Sequence, residues 1–151
     1  ISAREIRAKG NQPMDALLEV FSYEASGGYE YFLQYIDPID RTIFWLLRLR
    51  IPSSYFTHEP HALSVLENAA IIREVHVFGD QLAIGTAGDG SGQHMGFWKK
   101  LMKQAEDIVQ MNYPTITRIA VIAWVWVRKY YEKIGYSLVD EYMIKPYIWE
   151  K

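Results

Sequence analysis

Few side chains in this sequence are placed to do chemistry. His76 and His94 could transfer a proton or bind a metal, but neither has a second metal ligand at a useful spacing, so both are interpreted as structural or ligand-adjacent. Tyr130 and Tyr131 are adjacent phenols of the kind that can donate a proton. An isolated tyrosine is more often a core residue with a satisfied hydroxyl, so the residues alone leave both roles open.

Three lysines lie on one side of the clearest predicted helix, which spans residues 95–111. Its apolar residues recur at helical spacing: Trp98, Leu101, Met102, Ala105, Ile108 and Val109. The opposite face is predicted to carry Lys99, Lys100, Lys103, Glu106 and Asp107. Such a face is more often solvated than bound to phosphate, although Lys99 is close enough to the helix start to contact an anion.

The remaining elements are predicted to be mostly strands, because runs of β-branched and aromatic residues are separated by turn residues. Strands are predicted at 16–23, 29–36, 42–51, 69–78 and 119–122, with two more within 136–149. A short helix is expected at 126–133, ended by Gly135, and loops are expected at 52–68 and 80–92. This order predicts one mixed α/β domain over 16–151 with a mostly antiparallel sheet, preceded by a lead-in segment at 1–15. Apolar residues on both faces place the strand at 69–78 in the centre.

The composition excludes several classes of site. The chain has no cysteine, which rules out disulfides, thiolate zinc sites, iron–sulfur ligation and cysteine nucleophiles. Its 16 Lys and Arg against 18 Asp and Glu give no basic field for nucleic acid. No apolar run approaches the ~20 residues that span a bilayer. We therefore expect a cytoplasmic protein with no metal, no iron–sulfur cluster and no membrane association, and nucleic-acid binding is unsupported by charge.

Six short strings together resemble one known family. They are YEASGG (23–28), LLRLRIPS (46–53), VHVFG (75–79), QHMGFW (93–98), RKYYEKIGY (128–136) and EYMIK (141–145). In order and spacing they are similar to the acetyltransferase domain of the Elongator catalytic subunit, of archaeal and eukaryotic type. The resemblance covers most of the chain, and it implies the GNAT acetyltransferase fold, with helices flanking the sheet, and a site for acetyl-coenzyme A.

The resemblance also implies roles for particular residues. Tyr131 matches the tyrosine that protonates the departing thiolate, and Tyr130 is the alternative. A glycine-bearing turn opening a helix, expected at 93–99, offers unpaired N–H groups to the pyrophosphate. The residues expected at the coenzyme are His76, Val77, Phe78, Gln93, His94, Met95, Gly96, Phe97, Trp98 and Lys99.

The chain departs from the family pattern at these loops. Trp98 stands where the family usually has glycine, and Met95 stands where it has a basic residue. Trp124 and Trp126 replace small residues after the fifth predicted strand. Bulky apolar groups fill space that a phosphate needs, so weak or lost coenzyme binding and activity are expected. Ala3 stands where the family's joining segment has a cysteine, and the radical-SAM portion is missing, so an isolated module is expected.

Two alternatives to an enzyme follow from these departures. In the first, the chain is a redesigned family member in which Met95, Trp98, Trp124 and Trp126 line a pocket for an apolar ligand or anchor a protein interface, such as a homodimer. In the second, the tryptophans are buried and fill the former coenzyme cleft. The two alternatives differ in whether the indole rings are exposed or buried.

Overall fold

The computed structural model describes residues 16–77, 91–123 and 125–146, with the backbone alone described at 77, 91–95, 97 and 126. The strands are β1 (Leu17–Ala25), β2 (Gly28–Ile36), β3 (Ile43–Ile51), β4 (Ala69–Val77), β5 (Arg118–Ile122), β6 (Ser137–Val139) and β7 (Tyr142–Pro146). The helices are α1 (Ser53–Thr57), α2 (Ser91–Asn112) and α3 (Arg128–Glu132), and two 3₁₀ turns span Ser64–Leu66 and Val125–Val127. None of the helices in these ranges is long and apolar enough to cross a membrane.

The seven strands form one sheet in the order β1-β2-β3-β4-β5-β7-β6. Strands β1 to β4 make an antiparallel meander, and β4 and β5 form the parallel pair, connected through α2. Because a parallel connection needs a crossover, the long helix between β4 and β5 follows from the topology. The predicted mixed α/β class, the mostly antiparallel sheet and the central place of β4 are confirmed.

Several boundaries differ from the predicted ones. Helix α2 begins at Ser91, four residues earlier than expected, because the apolar periodicity that predicted it starts only at Trp98. The predicted helix at 126–133 is instead a 3₁₀ turn followed by the five-residue α3. The chain then passes through Gly135 at φ +103°, a conformation that glycine adopts without strain. Residues 1–15, most of the predicted loop at 80–92, and 147–151 lie outside the described residues.

The core lies between one face of the sheet and α2. On β3 the residues that alternate toward this face are buried, as the period of two requires, and on β2 burial is complete at Leu33 and partial at Tyr29 and Tyr31. They meet the apolar stripe of α2, and the core includes Leu33, Leu47, Leu49, Trp98, Leu101, Ala105 and Val109. The apolar half of the α2 prediction is confirmed, since the residues that pack here are those spaced every three to four positions.

The opposite face of the sheet carries charge and is called here the charged face. Its centre is Glu30, which is 2% exposed and lies 3.0 Å from the guanidinium groups of both Arg50 and Arg73. Arg48 is 3.7 Å away and also packs over the ring of Phe32. A register shift after Arg48 leaves Arg73 as an extra residue in β4. Because of this bulge, the adjacent residues Arg73 and Glu74 both have side chains on the charged face. Arg73 contacts Glu30, and Glu74 contacts Arg48.

Candidate active site

The sheet opens along the second half of β4. Residues Ala69–Ile72 pair with Arg118–Val121 of β5, and beyond Ile72 no described residue pairs with β4 on that side. On its other side β4 stays paired with β3 as far as Val77, opposite Trp45. Beyond Ile72, β4 therefore has a strand edge inside the sheet rather than at its border, as far as the described residues show. Such an edge can hydrogen-bond an extended ligand.

Helix α2 is the next described element after β4. The backbone is helical from Ser91, so residues 93–99, expected to form a turn, lie within the first turns of the helix. That expectation was wrong because a single glycine such as Gly96 weakens a helix without ending it. A Cβ atom added at Gly96 would meet no atom of the described residues within 4 Å. Packing against those residues therefore does not require a glycine there.

Trp98 lies in the core rather than on a surface. Its side chain is 0% exposed, and its ring meets that of Tyr131 edge to face at a centroid distance of 5.2 Å. The indole N–H has no well-formed hydrogen bond within the described residues, although it lies close enough to the Tyr131 hydroxyl to favour the phenolate. The burial matches the alternative in which this tryptophan fills space, and it provides no exposed wall at position 98.

Tyr131 is held in an apolar, aromatic setting. Only 4% of the residue is exposed, and a second ring, that of Tyr136, lies 5.7 Å away in an edge-to-face arrangement. Burial raises the pKa of the phenol to about 12, and the nearby Trp98 indole opposes that shift. The hydroxyl therefore stays protonated throughout the neutral range, as a proton donor must, but it is closed off from solvent.

The structure describes the other candidate residues to different extents. Tyr130 is half-buried, and its ring lies 5.2 Å from the ammonium group of Lys133. His76 is exposed on β4, with Nδ1 3.4 Å from a carboxylate oxygen of Glu74, and Lys99 is exposed on α2. Phe78 and Trp124 lie outside the described residues, and only the backbone is described for Val77, Gln93, His94, Met95, Phe97 and Trp126. The roles assigned to all these residues stay predictions.

A buried polar cluster beside this core was not predicted. Glu106, expected on the solvated face of α2, is 7% exposed and accepts a hydrogen bond of 2.9 Å from the Tyr136 hydroxyl. Lys145 of β7 donates to the same carboxylate at 3.2 Å. A signal was present in the sequence, because Glu106 follows Met102 by four residues and so lies on the buried side. The cluster ties α2 to β7 and to the segment that follows α3.

We expect Tyr131 to make the fold sensitive to alkaline pH. Below about pH 10 the phenol is protonated in both the folded and the unfolded chain, so the stabilising contribution is fully present. Between about pH 10 and about pH 12 the unfolded chain ionises first, and the free energy of unfolding should fall by about 2–3 kcal/mol. Urea unfolding measured across this range should show a shallower fall in Tyr131→Phe. An identical fall in both proteins would contradict the raised pKa.

The fold defines a mixed α/β domain whose central sheet opens after Ile72, and the comparisons with known proteins agree. The chain is 37% identical over 142 residues to tRNA uridine(34) acetyltransferase of Dehalococcoides mccartyi, covering 91% of this chain and 29% of that protein. It is 38% identical over 134 residues to Elongator complex protein 3 of Saccharomyces cerevisiae, covering 89% and 24%. No protein-family model matches.

A solved structure gives the same result in three dimensions. The archaeal Methanocaldococcus infernus Elp3, with an N-terminal deletion, superposes with a TM-score of 0.71 and 34% identity, covering 92% of this chain and 32% of that one. The resemblance to the Elongator catalytic subunit is therefore confirmed over most of this chain. The chain spans about a quarter to a third of the length of these relatives. Nothing in these similarities supports a redesigned origin.

Proposed function

We propose that this chain is a GNAT-type acetyltransferase domain that takes acetyl-coenzyme A at the opening along β4, and that Trp98 makes its coenzyme binding and activity weak. The observation that carries the proposal is the full burial of Trp98 against Tyr131. In this arrangement the expected proton donor is protonated but covered. We expect that displacing the indole ring gives a thioester access to the hydroxyl.

The proposed chemistry is acetyl transfer from sulfur to an acceptor. The acceptor attacks the thioester carbonyl carbon, the carbon–sulfur bond breaks, and the leaving thiolate takes the proton of the Tyr131 hydroxyl. The acceptor gives up one proton in the same reaction, which restores the phenol. The edge of β4 beyond Ile72 is the candidate for holding the coenzyme arm and polarising the carbonyl, and the start of α2 is the candidate for the pyrophosphate.

The acceptor proposed first is a tRNA uridine, because one relative is named for that substrate. This chain has a formal net charge of −2 and so lacks a strong basic field of its own. Binding of the tRNA is therefore proposed for a longer protein that contains this domain. An amine is the alternative acceptor, since the acid Tyr131 serves either transfer in the same way.

The test is a calorimetric titration of acetyl-coenzyme A into the parent and into Trp98→Gly, with Trp98→Phe as the control that keeps an aromatic ring. We expect binding to Trp98→Gly at least about tenfold tighter than to the parent, a gain of about 1.4 kcal/mol. Trp98→Phe should behave like the parent. Circular dichroism establishes that each variant is folded.

The outcomes separate the two parts of the proposal. Equal binding by the parent and Trp98→Gly would contradict the blocking role of the indole while supporting the coenzyme site. Binding by neither folded protein would contradict the coenzyme site itself. Binding that is restored by Trp98→Phe as well as by Trp98→Gly would show that the block requires the full indole group and that a smaller aromatic ring does not cause it.

A further inference from the structure

The outer edge of β1 is long and unpaired in the described part of the chain. This nine-residue strand ends the sheet, and its other side is paired with β2 along its whole length. The opposite border of the sheet is β6, which has three residues. Proteins commonly keep border strands short, because unpaired backbone groups recruit other strands. Strand β1 lacks this protection.

The side chains of β1 also favour contact with another strand. Leu17, Val20, Phe21 and Tyr23 are between 38% and 51% exposed, and they are distributed over both faces of the sheet. The strand contains no proline, lysine or arginine, and its pairing with β2 shows no bulge. These are the devices that usually prevent border pairing.

The turn that follows β1 decides which backbone groups point outward. Ser26 and Gly27 have φ values of 50° and 79°, the two positive values of a type I′ turn, and they join Ala25 to Gly28 in a two-residue hairpin. In such a hairpin the closing pair is hydrogen-bonded, and hydrogen-bonded pairs then recur at every second residue. Residues 17, 19, 21, 23 and 25 therefore bond to β2. Leu18, Val20, Ser22 and Glu24 direct their N–H and C=O groups outward.

We propose that β1 pairs antiparallel with β1 of a second copy of this chain, about a two-fold axis at Phe21. In that register Val20 lies opposite Ser22 of the other copy and Leu18 lies opposite its Glu24, so all the outward backbone groups are paired. The two Phe21 rings face each other as a cross-strand aromatic pair. The two seven-stranded sheets become one continuous sheet.

The charges of β1 suit this arrangement. Its two carboxylates, Glu19 and Glu24, face Tyr23 and Leu18 of the other copy, so no like charges lie opposite each other. Glu19 is in addition neutralised by Arg41, whose Nη2 donates to it at 2.9 Å. Because the same strand serves both copies, the contact closes as a dimer and does not extend into a fibre.

Sedimentation equilibrium from about 1 µM to about 1 mM tests the dimer, the range in which a contact of this kind should dissociate. We expect concentration-dependent dimerisation of the parent. Ser22→Pro removes an outward N–H and should weaken association at least tenfold, whereas Ser22→Ala keeps that N–H and should leave it unchanged. Phe21→Lys places two positive charges opposite each other and should also abolish the dimer. Leu138→Lys, the same kind of change on β6, should have no effect.

A charge exchange tests the register. Phe21→Lys and Phe21→Glu should each be monomeric alone, and mixing them should restore a dimer of one of each. A parent that stays monomeric to about 1 mM would overturn the proposal. A dimer that survives Phe21→Lys, or a mixture that does not associate, would overturn the pairing about Phe21. The lysine and glutamate variants keep the test decisive if Ser22→Pro does not fold.

Discussion

Replacing Trp98 with alanine is expected to lower the free energy of unfolding by about 3–5 kcal/mol, as is typical for truncation of a fully buried aromatic side chain. The Trp98 ring is 0% exposed and contacts the ring of Tyr131, which lies on α3. Trp98 itself lies on α2, which packs on the sheet. Its removal leaves a cavity at the point where these helices meet. Urea unfolding followed by circular dichroism measures the loss.

Two further variants, Trp98→Phe and Trp45→Ala, serve as controls for the loss of stability in Trp98→Ala. Trp98→Phe should cost much less, because the ring contact is largely kept and the indole N–H has no well-formed hydrogen bond to lose. Trp45→Ala truncates the other fully buried tryptophan among the described residues and should destabilise by a similar amount. Acetyl-coenzyme A at one fixed concentration should then raise the melting temperature of Trp98→Ala more than that of Trp45→Ala. A loss below about 1 kcal/mol for Trp98→Ala would contradict its place in the core.

Replacing Glu30 with alanine is expected to cost about 3–5 kcal/mol, the range measured when one partner of a buried ion pair is removed. The carboxylate is 2% exposed and lies 3.0 Å from the guanidinium groups of Arg50 and Arg73. Without it, three arginines on the charged face, including Arg48, lose their shared counter-ion. Chemical denaturation of the variant measures the effect.

Glu19→Ala provides the matched control for this prediction. Glu19 lies on the neighbouring strand β1, on the same face, and is also paired with an arginine, but its partner Arg41 has a side chain that is 52% exposed. Water screens such a pair, so the variant should show a small fraction of the Glu30→Ala loss. Equal losses from the two substitutions would show that burial is not what makes the Glu30 cluster strong.

The local order of elements could be predicted because it depends on local patterns. Alternating apolar residues identify β2 and β3, helical spacing from Trp98 to Val109 identifies α2, and Ser26 with Gly27 marks the turn of the first hairpin. The start of α2 was missed by four residues because the first turn of a helix carries little apolar signal. The same limitation made residues 93–99 resemble a separate turn.

Some residues of the candidate site could be predicted from the sequence, and others could not. The resemblance to the Elongator family pointed to Tyr131 as a candidate proton donor and to Trp98 as an unusual neighbour of an anion site, and both lie in one aromatic cluster. Glu106 and Glu30 were not predicted as buried, since a carboxylate is ordinarily placed in solvent. Their partners, Lys145 and Arg73, are 39 and 43 residues away in sequence.

What the sequence by itself determined is therefore the succession of strands and helices and the identity of the chemically competent residues, because both depend on neighbours within a few positions. Only the tertiary structure decided that the sheet opens beyond Ile72, that Trp98 packs on Tyr131, and that no described residue pairs with the outer edge of β1. The physical reason is that burial and strand pairing are properties of contacts between distant segments. Such contacts change the pKa of a phenol or the cost of a buried charge without leaving a local pattern in the chain.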